Sequence, residues 1–265
     1  MLRMNILVSE LHLNRRSLVI WTIVSMVIVG IYLGFFPYYD ASWAEVIDSM
    51  PPAFLEAFSF SGVMFEDVNL YHGGLVLMYV LVAVSIYGFM LAGSLIARES
   101  DWGTAEFLLV MPVTRVQILL AKATAFVVLV SVLWLVIFIT STLVGVAVAG
   151  RDFHVGAQVW AHLAGLLATM AAGGIAFAVA PFIDRTQTST SLGVGVGLGF
   201  FLLDAVRNMI EVLDPLKYLS IHYYAELQGA ATGEPFTIGL LVLPAIFIIG
   251  TLVGLFFLQR KEFTV

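Results

Sequence analysis

From Ala123 to Gly150 the chain carries no charged side chain, and from Phe153 to Ile183 it again carries none. A helix needs about 20 consecutive, mostly apolar residues to cross the hydrocarbon of a bilayer. Within lipid a segment must satisfy its own backbone hydrogen bonds, which without strand alternation means helix. Four further runs share this character: Ser17–Phe36, Gly73–Ala97, the shorter, glycine-rich Thr186–Leu203, and Ile238–Leu258. The pattern predicts an all-α, polytopic integral membrane protein with six transmembrane helices. They fall at about 17–36, 73–97, 123–149, 157–183, 187–208 and 238–258, in one transmembrane domain over 1–265. Composition agrees, since only 11% of residues are charged, against about 25% in soluble domains. The first run reads as a retained span, because its apolar stretch is longer than the core of about 7–15 residues in a signal peptide.

Charge distribution gives the orientation. With the N-terminus in the cytoplasm, the inner segments hold Arg3, Arg15, Arg16, Arg98, Arg115, Lys122, Arg185, Arg260 and Lys261, and the outer ones only Arg151, Arg207 and Lys217. Basic residues concentrate on the cytoplasmic side. Six spans then leave both termini cytoplasmic in a multi-pass protein of the plasma membrane. The outer segment 37–72 is acidic, with no Lys or Arg. Trp43, Val46, Ile47 and Met50 in it are spaced as an amphipathic helix.

Several chemistries are excluded. There is no cysteine, so disulfides, thiolate metal sites and a thiol nucleophile are out. No Gly-x-x-x-x-Gly-Lys-Ser/Thr loop, His-Glu-x-x-His or Gly-x-Ser-x-Gly occurs, so neither an ATP site nor a familiar catalytic or metal site is expected in this chain. A net charge of −6 argues against nucleic acid as a partner. The middles of the spans hold no Asp, Glu, Lys or Arg, where ion-coupled carriers usually place them. Near the outer end of the fifth span, Asp204 and Arg207 sit i, i+3 and can pair, either at the interface or beside a translocation path. Gly193/Gly197 and Gly195/Gly199 are small-residue pairs suited to close helix packing, within the chain or at a dimer seam.

The polar interruption between the second and third runs reads RESDWGTAEFLLVMPVTRVQILLAK, residues 98–122. Gly103 suits a sharp turn, Thr104 an N-cap, and Pro112 a helix end. Phe107, Leu108 and Met111 share one face. The stretch predicts a short amphipathic helix at the membrane surface, either resting on lipid or docked in a partner's groove.

This segment resembles the coupling segment of type-2 ATP-binding cassette (ABC) permeases. The matching positions are Gly103, Thr104, Glu106, Leu108, Leu109, Pro112, Val113, Arg115 and Lys122. Residues 1–21 resemble that family's N-terminal interfacial helix, with Met4, Leu7, Val8 and Leu11 forming an apolar stripe opposite Arg3, Glu10 and Asn14. The resemblance implies the permease subunit of an ATP-driven exporter. Its partners would be membrane lipids, a second permease subunit, identical or different, and a separate nucleotide-binding ATPase that holds ATP and magnesium. It implies that Gly103, Thr104, Glu106, Phe107, Leu108, Met111, Pro112 and Arg115 dock that ATPase, with Arg98, Glu99 and Arg115 bracing the helix. An amphipathic or lipid-like substrate suits the apolar spans. The alternative is a membrane assembly or regulatory subunit that docks a cytoplasmic partner and transports nothing.

Overall fold

The structure, a computed structural model, describes residues 2–39, 43, 46, 47, 49–58, 60, 62–103, 113–234 and 236–260. Its helices are α1 (Leu2–Phe35), the short α2 (Pro52–Phe58), α3 (Val68–Asp101), α4 (Arg115–Ala149), α5 (Val155–Val179), α6 (Thr186–Met209), the short α7 (Leu227–Thr232) and α8 (Thr237–Arg260). Each expected span coincides, to within a few residues at most ends, with one of six helices long and apolar enough to cross a membrane. No strand occurs among the described residues. The protein is an all-α polytopic membrane protein.

Burial separates the helices into a centre and a periphery. α3 and α5 are the most enclosed and pack on each other; α6 lies on α3, α8 on α5, and α1 on α4. Lipid tails offer no hydrophobic drive between helices, so close backbone approach and van der Waals contact carry the association. Small residues permit it. A Cβ on Gly250 of α8 would collide with the Gly174 backbone of α5, and one on Gly193 of α6 would lie 2.8 Å from Met90 Cγ of α3. Gly193 and Gly197 therefore pack within the chain, whereas Gly195 and Gly199 have nothing within 4 Å.

Two elements depart from expectation. Residues 1–21 do not form a separate interfacial helix: α1 runs unbroken from Leu2 to Phe35, about 51 Å at 1.5 Å per residue. Its polar side also points inward. Glu10 is only 4% and Asn14 5% exposed, while Met4 and Val8 face outward. Glu10 and Asn14 have charged partners on α3 and α4, and those partners turn the helix's polar face toward the bundle. The second departure is the connection between α6 and α8. It folds back into the bundle, where Ser220, Ile221, Ala225, Ala230 and Ala231 are buried. Its backbone reaches α8 where Tyr224 abuts Gly239, and reaches α3 where Leu227 abuts Gly73.

Candidate coupling site

Of the residues expected to dock a partner, Thr104, Glu106, Phe107, Leu108, Met111 and Pro112 lie outside the described residues. Most of the outer segment 40–48 does too, so of its expected amphipathic helix only Trp43, Val46, Ile47, Ser49 and Met50 are described. The flanks of 104–112 are described, and each is fastened to other helices. On the entering side, Gly103 takes φ 65°, the left-handed turn that its lack of a side chain permits. Just before it, an Asp101 carboxylate oxygen accepts from the Thr186 backbone N–H at the start of α6, 3.3 Å away. The Arg98 guanidinium lies 5.4 Å from the Trp102 ring.

On the leaving side, Thr114 is the N-cap of α4. Its hydroxyl accepts from Gln117 N–H and its own N–H donates to Gln117 Oε1, a reciprocal capping box. α4 thus begins at Arg115, and Lys122 lies two turns inside the helix instead of at its entrance. Arg115 donates to the carbonyls of Leu258 at 2.5 Å and Gln259 at 3.0 Å, in the last turn of α8. A guanidinium gives these carbonyls a charge-assisted donor in the last described turn of the helix.

Between the two flanks lies a buried ion cluster. Lys122 is 1% exposed; its ammonium contacts a Glu10 carboxylate oxygen and donates to Glu99 Oε1 at 2.7 Å. Arg98 donates to Glu10 at 3.4 Å and to Asn14 Oδ1 at 2.9 Å, and Asn14 donates to the Glu10 carbonyl at 2.8 Å. Two cations balance two anions, and every charge has a partner. Charges this enclosed are tolerated only when paired, because desolvation of an isolated ion costs several kcal/mol. The expected bracing pair Arg98 and Glu99 is here, joined by three residues the sequence reading did not assign: Glu10, Asn14 and Lys122.

At the opposite end, Asp204 and Arg207 do pair, Arg207 Nε donating at 2.9 Å. The pair belongs to a larger network. Asp204 Oδ2 also accepts from Ser220 Oγ at 2.7 Å and lies 3.4 Å from His222 Nδ1, while His222 Nε2 sits 3.4 Å from Ser85 Oγ on α3. The network ties the folded-back connection to α6 and α3. Nearby, Lys217 donates to Asp214 at 2.7 Å, and that carboxylate holds the ammonium above its ordinary pKa. No group of three or more metal-ligating side chains occurs among the described residues.

Residues 4–261 match the family model described as ABC-2 family transporter protein. The chain belongs to the ABC-2 transporter family. An uncharacterised protein of Bacillus subtilis (strain 168), YhcI, is 30% identical over 78 residues, which is 29% of this chain and 25% of that protein. Permeases of this family are membrane components of ABC transporters and generally work with a separate ATPase subunit.

Family membership does not reveal the interior of this permease. Asn69 Oδ1 accepts from the His154 backbone N–H at 2.9 Å and from Gln158 Nε2 at 3.2 Å. Gln158 Nε2 also donates to the Ala231 carbonyl, so its Oε1 end faces His72 Nδ1 at 2.7 Å. His162 Nδ1 points at the Gln158 carbonyl, also at 2.7 Å. Both acceptors are oxygens without a proton, so both imidazoles carry hydrogen on Nδ1. Their Nε2 atoms are buried without a hydrogen-bond partner among the described residues, and the two rings stack 5.6 Å apart.

Proposed function

We propose that this ABC-2 permease is the membrane subunit of an ATP-driven exporter, and that residues 103–115 receive the motion of a separate ATPase. The orientation that goes with this reading puts the Lys122 end in the cytoplasm with both termini, in a plasma-membrane protein. A second permease subunit, identical or different, completes the pathway, and ATP and magnesium stay on the ATPase. The observation that carries the reading is the fastening of both flanks of 104–112. Asp101 holds α6, the Arg98–Glu10–Lys122 cluster holds α1, and Arg115 holds α8. A displacement applied to the intervening segment is therefore passed to three helices besides the two it connects. Gly103, Thr104, Glu106, Phe107, Leu108, Met111 and Pro112 supply the docking surface, with Arg98, Glu99 and Arg115 as braces. A surface ion pair there adds about 0–1 kcal/mol, so apolar contact from Phe107, Leu108 and Met111 dominates docking.

The test is capture of the ATPase from detergent extract, with this chain as bait, comparing wild type with Glu106→Arg plus Leu108→Asp. The reading expects an ATPase with wild type and little or none with the variant, at equal membrane insertion and helicity. Equal capture by both, or no ATPase with either, overturns it.

A further inference from the structure

Near its start, at the end of the bundle away from Lys122, α3 contains a π-helical turn, His72–Val76. Such turns are rare and frequently sit at functional sites. Its first residue, His72, faces Gln158 and His162 of α5, and with Asn69 these side chains are at most 4% exposed. Hydrogen bonding in this cluster is complete on one side and open on the other. Each imidazole donates its Nδ1 hydrogen to a Gln158 oxygen. What remains is Nε2, a lone pair that can only accept. Two acceptors cannot satisfy each other, and neither finds a donor among the described residues. The neighbouring rings offer none. Phe153 lies 5.4 Å from His72, and Phe138 lies 5.2 Å and Trp134 6.0 Å from His162, centroid to centroid. The Trp134 N–H is already donated to Thr169.

A third polar group belongs to the same layer. α4 and α5 run antiparallel, with Trp134 beside Gly165, Phe138 beside His162 and Gly145 beside Phe153. Ser141 lies between Phe138 and Gly145 on that face of α4, and so falls at the level of Gln158. It is fully buried, and its hydroxyl has no partner among the described residues. It does not even take the carbonyl one turn back, as the adjacent Thr140 does. One hydroxyl donates once, so Ser141 cannot serve both Nε2 atoms. The layer is short of donors.

We propose that this layer binds a buried water molecule shared by His72, His162 and Ser141. Water brings two hydrogens, one for each Nε2, and its oxygen accepts from the Ser141 hydroxyl. That is the set of about three hydrogen bonds a buried water typically makes. A metal ion suits the layer less well. Imidazoles held through Nδ1 do ligate metals through Nε2, but no acidic side chain among the described residues bonds to either imidazole, and Asp67 reaches the cluster only through Asn69. Charge buried without a counter-ion is costly, whereas water adds none. The hydrated site joins α3 to α5 through neutral groups, and Gln158 carries the link to the folded-back connection at the Ala231 carbonyl. It needs neither the ATPase nor the orientation proposed above.

The test is solid-state NMR of the isotope-labelled full chain in lipid bilayers, reading magnetisation transfer from water to the ring hydrogen Hδ2. That hydrogen sits on the carbon beside Nε2 and away from the Nδ1 hydrogen, so it reports on the proposed site alone. Wild type is expected to show transfer to Hδ2 of both His72 and His162. Ser141→Ala removes one of the three partners and should weaken both transfers. His162→Phe should weaken the transfer to His72. The wild-type reading depends on no variant, and loss of transfer to both rings there overturns the proposal. Transfer to one ring only overturns it too, because the water is then not shared. So does transfer to His72 undiminished in His162→Phe, or transfer to both rings undiminished in Ser141→Ala. Zinc or copper present at one ion per chain in protein purified without added metal, and lost in His162→Phe, would identify a metal ion as the occupant instead.

Discussion

Arg115, the first residue of α4, holds the carbonyl of Leu258 at 2.5 Å in the last turn of α8. The two residues are 143 positions apart, and the contact closes the bundle at the end where 104–112 is attached. Arg115→Ala should free those carbonyls and loosen the α8 terminus. Partial exposure limits the loss to about 1 kcal/mol, read as a modest fall in melting temperature in detergent. Arg115→Lys, with one point charge in place of a fork, should recover about half. An unchanged melting temperature in Arg115→Ala would show that the contact contributes nothing to stability.

The ion cluster makes a sharper prediction. Lys122→Met removes the cation that the buried Glu10 shares with the partly buried Glu99, leaving Glu10 to Arg98 alone, and a break of this kind costs up to about 3–5 kcal/mol. Adding Glu10→Gln removes the buried charge that lost its nearest partner. The double variant should therefore be more stable than Lys122→Met alone, and unfolding in mixed micelles measures this directly. Additive losses would contradict the pairing.

Helix packing can be tested with single methyl groups. Gly250→Ala places a carbon against the Gly174 backbone, which cannot rotate away, and should cost about 1–3 kcal/mol. Gly195→Ala meets nothing within 4 Å and should be neutral or stabilising by up to about 1 kcal/mol. Melting temperatures of the pair, measured side by side, decide it. Equal effects would mean that α5 and α8 are not in close contact.

The histidine stack predicts a tautomer. Nitrogen NMR on labelled protein should find hydrogen on Nδ1 of both His72 and His162, with Nε2 bare. A proton on Nε2 alone would mean, for His72, that the Gln158 amide turns its nitrogen toward the ring and, for His162, that the Gln158 carbonyl contact is not made.

The spans were legible because uncharged runs of this length have no other stable form in lipid. The span ends were less so. Thr114-x-x-Gln117 is a readable capping box, yet it competes with Thr104 as a helix start, and the same loop offers Gly103 and Pro112 as turn signals. Glu10 was the least legible of all. Its partner Lys122 is 112 residues away, and an acid on one side of an amphipathic helix looks identical whether it faces water or a buried ammonium. The burial of 220–231 had no local signature either, since no run in it is long enough to announce a membrane segment. Asp204 and Arg207 announced their own pairing by spacing, but Ser220, His222 and Ser85 joined them only through the fold.

The inward-turned polar side of α1 also sets how that helix can move. Rolling α1 about its axis would swing Glu10 toward hydrocarbon and strip Lys122 of a counter-ion. That rotation is closed to it. Sliding lengthwise or rocking about the Glu10–Lys122 contact keeps the charges together, so α1 behaves as a keyed shaft with two free motions rather than three. Any stroke delivered near Gly103 must leave this helix as tilt or as thrust.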